Sequence, residues 1–387
     1  MKLWLAAIFV LAGVEARAES WCAYPLWVHE WGVHVLGADD RPGPPLPDWF
    51  HHDAPSAAGS VRNLPADNGV RKLPVLHFYS RGSLSQPIPV GIEVGFTHGP
   101  ASSWFPQVDH LVPAETANSA AALAAHAVLV ERRKARQQGQ LDALPADPRA
   151  QLVWDHLELT PRPARPASPE PADWVTRARG LDALWVNGAS ESERFVFYEA
   201  TTHETSPLVL TRGPGWSATR RQLVLTNSGA HALHDVFMTV RDGAVFVVHV
   251  PELAAKAQTT FVLEDQRVAP DGLVQATRGA LAKALLDPNE PSPPAEYRWS
   301  SERCVMMRDP AQPFERSAGS GLYQGEVDLI VAAWGARFFD QPGTTVVYRE
   351  DVAALDEAMP LAIYTDMFNF VVLHRAGLAL WENVALP

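Results

Sequence analysis

The sequence has few cysteines and none of the common catalytic motifs. Cys22 and Cys304 are its only cysteines, which excludes a Cys-x-x-Cys metal or redox site. It contains no Gly-x-Ser-x-Gly elbow, no phosphate-binding loop and no dinucleotide-binding fingerprint. The sequence therefore assigns the chain to none of the enzyme classes that these motifs mark.

Positive charge is also scarce. The 32 Lys and Arg residues are outnumbered by 44 Asp and Glu residues, which gives a formal net charge of −12. Phosphate backbones and anionic membranes repel an acidic protein. The composition therefore predicts no nucleic-acid partner, and the expected partner is a small molecule, a glycan or another protein.

No apolar run is long enough to span a bilayer, which takes about 20 residues. The first segment instead has the pattern of a signal peptide: Lys2, an apolar core from Leu3 to Val14, and the small-x-small sequence Ala16-Arg17-Ala18. Cleavage is expected after Ala18, which would place the mature chain in the periplasm or outside the cell.

An oxidising compartment favours a disulfide between Cys22 and Cys304. In the chain-entropy model, closing so long a loop contributes about 4 to 5 kcal/mol. Two separate buried thiols are the alternative.

Short β-branched and aromatic runs, separated by turn residues, predict a mainly β protein with an α+β C-terminal part. The architecture expected is one or more antiparallel β-sandwiches with a few packed helices. The predicted regions are a signal peptide at 1–18, an N-terminal β-rich region with an Ala-rich helix at 19–160, a Pro-rich linker at 161–173, a central β-sandwich at 174–268 and a C-terminal α+β segment at 269–387.

Several local predictions follow from turn chemistry and periodicity. Asp242-Gly243 between two β-rich runs predicts a hairpin, and a second hairpin is expected between the runs 75–80 and 90–96. Residues 118–136 have helical composition. Helices are also predicted over 273–286 and 321–339, and strands over 344–348 and 368–373.

The densest cluster of reactive side chains is His29-Glu30-Trp31-Gly32-Val33-His34. It fails the His-Glu-x-x-His zinc pattern, because the second histidine comes five residues after the first. Flanking valines favour a strand, on which His29, Trp31 and Val33 share one face and Glu30, Gly32 and His34 the other. One ionisable group must then point inward, so Glu30 or His29 needs an arginine, a backbone amide or a metal as its partner.

A second cluster, Glu199 to Glu204, follows a predicted strand and enters a loop. If the two clusters meet in space, the catalytic candidates are His29, Glu30, Glu199, His203 and Glu204. In a metal-dependent form of that site, His29, Glu30 and His203 would bind a divalent metal. Trp31 and Trp104 are the ligand-binding candidates. Core or rim packing is the favoured expectation for the tryptophans, and Trp104 and Trp216, in loop-like contexts, are the candidates for exposure.

Five short motifs resemble a family of exported, uncharacterised bacterial proteins that begin with a His-Glu-Trp-Gly strand. The resemblance covers most of the mature chain and implies export and overall layout, without an activity. Members usually carry Thr-Phe-Thr where this chain has Val33-His34-Val35. The matching segments are residues 28–32, 74–80, 104–107, 193–198 and 321–326.

Two hypotheses for function follow from these observations. The first is an exported, non-catalytic binding or structural protein whose ligand is unknown. The alternative is a periplasmic or secreted hydrolase, metal-dependent in one form, that uses the His/Glu clusters.

Overall fold

The computed structural model describes residues 22–36, 43–52, 69–81, 86–97, 99–112, 150–168, 173–202, 204–294, 304–306 and 317–387.

An 11-stranded sheet, called here the large sheet, takes strands from the predicted N-terminal, central and C-terminal regions. Its strands are β1 (Cys22–Leu36), β2 (His51–His52), β3 (Gly69–Tyr79), β5 (Ala101–Phe105), β10 (Val196–Thr202), β13 (Leu233–Asp242), β14 (Ala244–Leu253), β16 (Arg267–Val268), β17 (Val305–Met306), β18 (Gly343–Glu350) and β20 (Asn369–Trp381). The spatial order is β16-β14-β13-β18-β20-β1-β3-β10-β5-β2, with β17 paired to β1.

β1 lies at the centre of this sheet because valines and aromatic residues fill it on both faces. It pairs in parallel with β20 and antiparallel with β3. The parallel pair is in register from Tyr24 opposite Asn369 to Leu36 opposite Trp381, so the first and last described strands are neighbours.

Two smaller antiparallel sheets cover one face of the large sheet. The first has six strands: β4 (Ile88–Phe96), β6 (His110–Val112), β7 (Ala150–Thr160), β8 (Trp185–Asn187), β9 (Ser192–Glu193) and β19 (Leu361–Thr365). The second has three strands: β11 (Leu208–Arg212), β12 (Gln222–Asn227) and β15 (Gln258–Val262).

Helices lie mainly on the opposite face. The helices of the described ranges are α1 (Asp173–Arg179), α2 (Pro270–Leu285), α3 (Gln324–Phe339) and α4 (Val352–Ala358), and a 3₁₀ turn spans Leu263–Gln266. α3 buries Val327, Ile330, Trp334 and Phe338, the one-sided spacing of an amphipathic helix. None of the helices in the described ranges combines the length and the apolar character needed to cross a membrane.

Alternation along β1 divides its side chains between two kinds of core. Trp31, Val33 and Val35 pack with α1, α2 and α3 on what we call the helix face. On the opposite face, called the sheet face, Leu26 and Val28 pack against the six-stranded sheet. Leu36, ten residues beyond Leu26 on the same strand, packs against the three-stranded sheet. Two separate apolar cores therefore lie on the sheet face.

Between these two cores the side chains are polar. Glu30 and His34 on β1, Arg71 on β3, Glu350 on β18 and Arg375 on β20 are all buried here, and none exposes more than 9% of its surface. We call this strip the seam. Burying so many charges is costly unless they pair with one another.

The predicted fold class is confirmed, since antiparallel sheets packed face to face dominate and a few helices accompany them. The Asp242-Gly243 hairpin is also confirmed. It joins β13 to β14, with Asp242 opposite Ala244, and Gly243 has a φ of 64° that favours glycine. Helices α2 and α3 and strands β18 and β20 occupy the predicted segments.

The predicted hairpin between residues 75–80 and 90–96 is wrong. Both segments are strands, but β3 belongs to the large sheet and β4 to the six-stranded sheet. The two edges of β3 are occupied by β1 and β10, strands that are distant in sequence and invisible to a local pattern. The predicted helix at 118–136 lies outside the described residues.

The predicted Cys22–Cys304 disulfide is present and spans 282 residues. It fixes the start of β1 beside the short strand β17, where Cys22 lies opposite Met306. Of the predicted Pro-rich linker, residues 161–168 are described, and they contact the six-stranded sheet. The Ala164 N–H donates to Asn187 Oδ1 at 2.8 Å, and the Arg165 N–H donates to Ser192 Oγ at 3.1 Å.

Candidate functional site

The first charged group of the seam is built around Arg375, whose side chain is fully buried. Arg375 Nε donates to Glu30 Oε2 across the parallel pair β1 and β20. Its Nη1 donates to Asp356 Oδ1 on α4 at 2.8 Å. The Tyr198 hydroxyl on β10 donates to the other oxygen of Glu30. Of the partners predicted for a buried Glu30, an arginine, a backbone amide or a metal, the structure shows the arginine.

The second group is built around Arg71, which forms ion pairs with the carboxylates of Glu204 and Glu350. Arg71 Nε and Nη2 donate to Glu204 at 3.0 and 2.9 Å, and Nη1 and Nη2 donate to Glu350 at 2.9 and 3.2 Å. Bidentate geometry of this kind makes strong, directional ion pairs.

His34 completes this second group. Its Nε2 lies 3.2 Å from Thr202 Oγ1 and 3.6 Å from Glu204 Oε2, while its Nδ1 lies 3.7 Å from Glu350 Oε1. The imidazole therefore has a hydroxyl on one nitrogen and a carboxylate near each nitrogen, the components of an acid–base site.

The electrostatics of the second group follow from its burial and its pairing. Burial by itself would raise the pKa of the Glu350 carboxyl, but attraction to Arg71 and the hydrogen bonds from His34 and Arg71 together outweigh burial and hold that pKa well below its usual range. The pKa of Glu204 is lowered for the same reason, with burial opposed by Arg71. Both carboxylates are therefore ionised at neutral pH.

A cavity of about 330 Å³ opens above this group, where the three-stranded sheet ends and α4 begins. We call it the seam cavity. Its volume is at the lower end of the range for small-molecule sites, about 300 to 1,000 Å³. It is lined by His34, Leu36, Arg71, Glu204, Thr205, Pro207, Gly229, Ala230, His231, Ala232, Leu233, Tyr348, Glu350, Asp351 and Ala354.

Glycine at position 377 allows β20 to pack closely against Glu350 of β18 and Leu355 of α4. A Cβ at this position would lie 2.8 Å from Glu350 Oε2 and 2.5 Å from a methyl carbon of Leu355. Only glycine lets β20 approach both the carboxylate and α4 this closely. Gly377 pairs in register with Gly32 on β1, so two adjacent strands lack side chains between the two charged groups.

The helix face of the same strands carries a row of three histidines: His77 on β3, His29 on β1 and His374 on β20. His29 Nδ1 lies 2.7 Å from Glu326 Oε2, and the same oxygen accepts the Tyr323 N–H at the start of α3 at 2.9 Å. Glu326 therefore caps α3 and joins it to β1. His77 Nδ1 donates to the Arg194 carbonyl at 3.2 Å, and within the described ranges its Nε2 has no hydrogen-bond partner.

The structure separates His29 from Glu30, since they point to opposite faces of the large sheet and contact Glu326 and Arg375 respectively. Of the second cluster, Glu204 lines the seam cavity. Glu199 is half-buried on β10 opposite Ser103 of β5, and His203 lies outside the described residues. The two clusters meet at His34, which contacts Thr202 and Glu204. Glu30 contacts Tyr198, the residue just before the second cluster.

Trp104, a candidate for exposure, is instead packed in the core, as expected for most of the tryptophans. Trp104 exposes 4% of its surface because it lies in β5 under the six-stranded sheet, and Trp31 exposes 1% on the helix face. Neither lines the seam cavity. Trp216 is half-buried.

Sequence reasoning missed Arg71, Glu350, Glu326 and Arg375. Each lies in a strand or helix far in sequence from residue 30. The one signal for such residues in the sequence is a charged side chain within an otherwise apolar strand, which indicates that a partner is needed. That signal was used for Glu30 and could have been extended to His34, which alternation puts on the same face of β1.

Within the described ranges, no group of three or more His, Cys, Asp or Glu side chains has the geometry to hold a metal ion. In comparisons with known proteins, no family model matches the chain, and no curated protein matches it in sequence.

Replacing Glu30 with Gln should lower the free energy of unfolding by about 3 to 5 kcal/mol, because it removes one partner of a buried ion pair and leaves Arg375 undercompensated. Urea denaturation measures the change. Asp182→Asn is the control, since its ion pair with Arg81 is exposed and should contribute less than about 1 kcal/mol. Equal effects of the two substitutions would show that the Glu30 pair does not support the fold.

The stability of the protein should fall as the pH drops below about 6.5, in part because of His77. Burial lowers the pKa of His77 from its usual value of 6.5, with opposing attraction from Glu326. The unfolded chain then takes up a proton before the folded chain does, so stability is present above pH 6.5 and is lost as the pH falls through the lowered pKa.

The measurement compares wild type with His77→Gln by urea denaturation between pH 7.5 and 5. The stability difference between them should shrink by up to about 1.4 kcal/mol per pH unit below 6.5. His156→Gln, at an exposed histidine, is the control, and its difference in stability from wild type should change less with pH than that of His77→Gln. A His77→Gln difference that does not change with pH would contradict the assignment.

Proposed function

We propose that the protein is an exported binding protein that holds a small-molecule ligand in the seam cavity. The observation that carries the proposal is the volume of this cavity together with the composition of its lining. It combines about 330 Å³ of space with a buried, pre-organised charged group at its base and apolar side chains around its wall. Sites for small molecules have this composition, with a few fixed polar groups in an apolar lining.

Export is supported by the signal-peptide pattern at 1–18 and by the Cys22–Cys304 disulfide. Disulfides persist in oxidising compartments such as the periplasm and the cell exterior. The bond also fixes the first residue of β1, close to the expected start of the mature chain.

A pre-organised site fits binding because its charged groups need no rearrangement to receive a ligand. Arg71, Glu204 and Glu350 hold each other in place through four hydrogen bonds. Rigid polar groups reduce the entropy lost when a ligand binds.

A hydrolase is the second candidate, and the contacts of His34 favour it. Thr202, His34 and Glu350 form a hydroxyl, imidazole and carboxylate series, with distances of 3.2 Å and 3.7 Å between successive groups. In such a series the imidazole removes the hydroxyl proton and the carboxylate orients the imidazole. His34 replaces His29 in this form of the hypothesis.

Filling the cavity should weaken binding. A charge-balanced library of small molecules is first screened by thermal shift, and hits are confirmed by calorimetry. Ala354→Phe, on the wall of the cavity, should weaken each confirmed ligand by at least about tenfold. Ala353→Phe is the matched control, because Ala353 is exposed on the same helix and does not line the cavity. A library without ligands, or equal binding by the two variants, would refute the proposal.

The hydrolase is tested with chromogenic esters and amides. If it is correct, His34→Gln and Thr202→Val should each lower turnover by about 100-fold or more, while Thr202→Ser keeps activity. Elemental analysis for stoichiometric Zn, Ca or Cu tests the metal-dependent form. Absence of turnover in the wild-type protein, together with ligand binding, would leave the binding function as the sole candidate.

A further inference from the structure

We infer that the ligand of the seam cavity is a small organic cation, with an ammonium or guanidinium group attached to an apolar body. This inference rests on the proposed binding function and names the class of its ligand. The lining has an excess of negative charge, most donors of Arg71 are already occupied, and the wall divides into an acidic part and an apolar part.

The lining has more carboxylates than permanent cations. Glu204, Glu350 and Asp351 contribute three carboxylates, and Arg71 is the one Lys or Arg among the described lining residues. His34 and His231 are the titratable nitrogen bases of the lining. With neutral imidazoles the wall carries two negative charges in excess, and such a wall concentrates cations.

Arg71 is not available to an incoming anion. Four of its five N–H donors are already directed at Glu204 and Glu350. The side chain of Arg71 exposes 4% of its surface, whereas those of Glu204 and Glu350 expose 17% and 11%. A ligand at the base of the cavity therefore meets carboxylate oxygens before it meets the guanidinium. A carboxylate or phosphate would be repelled here, although an arginine lines the site.

Asp351 extends the acidic part of the wall toward α4. It is the N-cap of that helix, where its Oδ1 accepts the Ala353 N–H at 2.8 Å, and its Oδ2 lies 3.3 Å from His234 Nε2. Its carboxylate is thus held in place on the same cavity as the two glutamates.

The remaining wall suits a hydrocarbon skeleton. Leu36, Leu233 and Tyr348 are buried side chains that line the cavity, and Pro207, Ala232 and Ala354 add further apolar surface. A tyrosine ring also attracts cations to its face. A ligand that places its charged end at the glutamates and its carbon skeleton against these residues satisfies both parts of the wall.

The test uses three probes with one skeleton: 4-phenylbutylamine, 4-phenylbutanol and 4-phenylbutyrate. Calorimetry at neutral pH and low salt measures the affinity of each for the full mature protein. We expect the amine to bind at least about tenfold more tightly than the alcohol and the carboxylate. Ala354→Phe should weaken the binding of the amine by at least about tenfold.

Asp351→Asn isolates the charge, because asparagine caps a helix about as well as aspartate. It should weaken the amine by about fivefold, as expected for one partly exposed carboxylate, and leave the alcohol unchanged within about twofold. Asp328→Asn is the control, since Asp328 lies on α3, where it accepts a hydrogen bond from Gln324, and is not part of the cavity.

The outcomes separate this inference from the proposed function. If the alcohol or the carboxylate binds as tightly as the amine, and Ala354→Phe weakens that binding, the cavity is a ligand site but the cation assignment is wrong. If none of the three probes binds and the library compounds that do bind carry no positive charge, the cation assignment is again wrong. If no compound of any charge binds, the inference and the proposed function both fail.

Discussion

The packing of the molecule depends on the neutralisation of charge along the seam. Two arginines, Arg71 and Arg375, lie buried between two apolar cores, and each is held by two carboxylates. An arginine left without its partners at such a position would cost several kcal/mol. The ion pairs link β1, β3, β18 and β20 to α4 and to the chain after β10, so the same contacts that remove the penalty also join separate parts of the chain.

The seam explains why a cavity forms on the sheet face. The six-stranded and three-stranded sheets pack on the large sheet over different groups of apolar side chains. Charged residues on β1, β3, β18 and β20 interrupt the apolar surface between them, so neither small sheet extends over the seam. The space that remains is walled by α4 on one side and by the turn at residues 229–232 on another.

The helix face provides a contrast. There His29 packs against the rings of Tyr79 and Tyr323 and pairs with Glu326, which also caps α3. This pair joins a helix to the central strand, and both of its side chains are almost fully buried. One strand therefore contributes to a structural hydrogen-bonded pair on one face and to the candidate ligand site on the other, as its two-residue period allows.

Local sequence predicted the elements better than their partners. Asp242-Gly243 predicted its hairpin because a type of turn depends on the two residues that form it, and the spacing in α3 predicted a one-sided helix. The hairpin expected between β3 and β4 failed because strand pairing depends on which edges are free, and β1 and β10 occupy both edges of β3.

The sequence by itself determined the mainly β class, the strand at His29 and Glu30, the opposite directions of those two side chains, and the need of one of them for a partner. These follow from backbone period and from the cost of burying a charge, which are properties of a short segment. Only the tertiary structure decided that the partner is Arg375, that His34 meets Glu204, and that a cavity lies above them. Those residues are separated by more than a hundred positions in the chain, and long-range pairing brings them together.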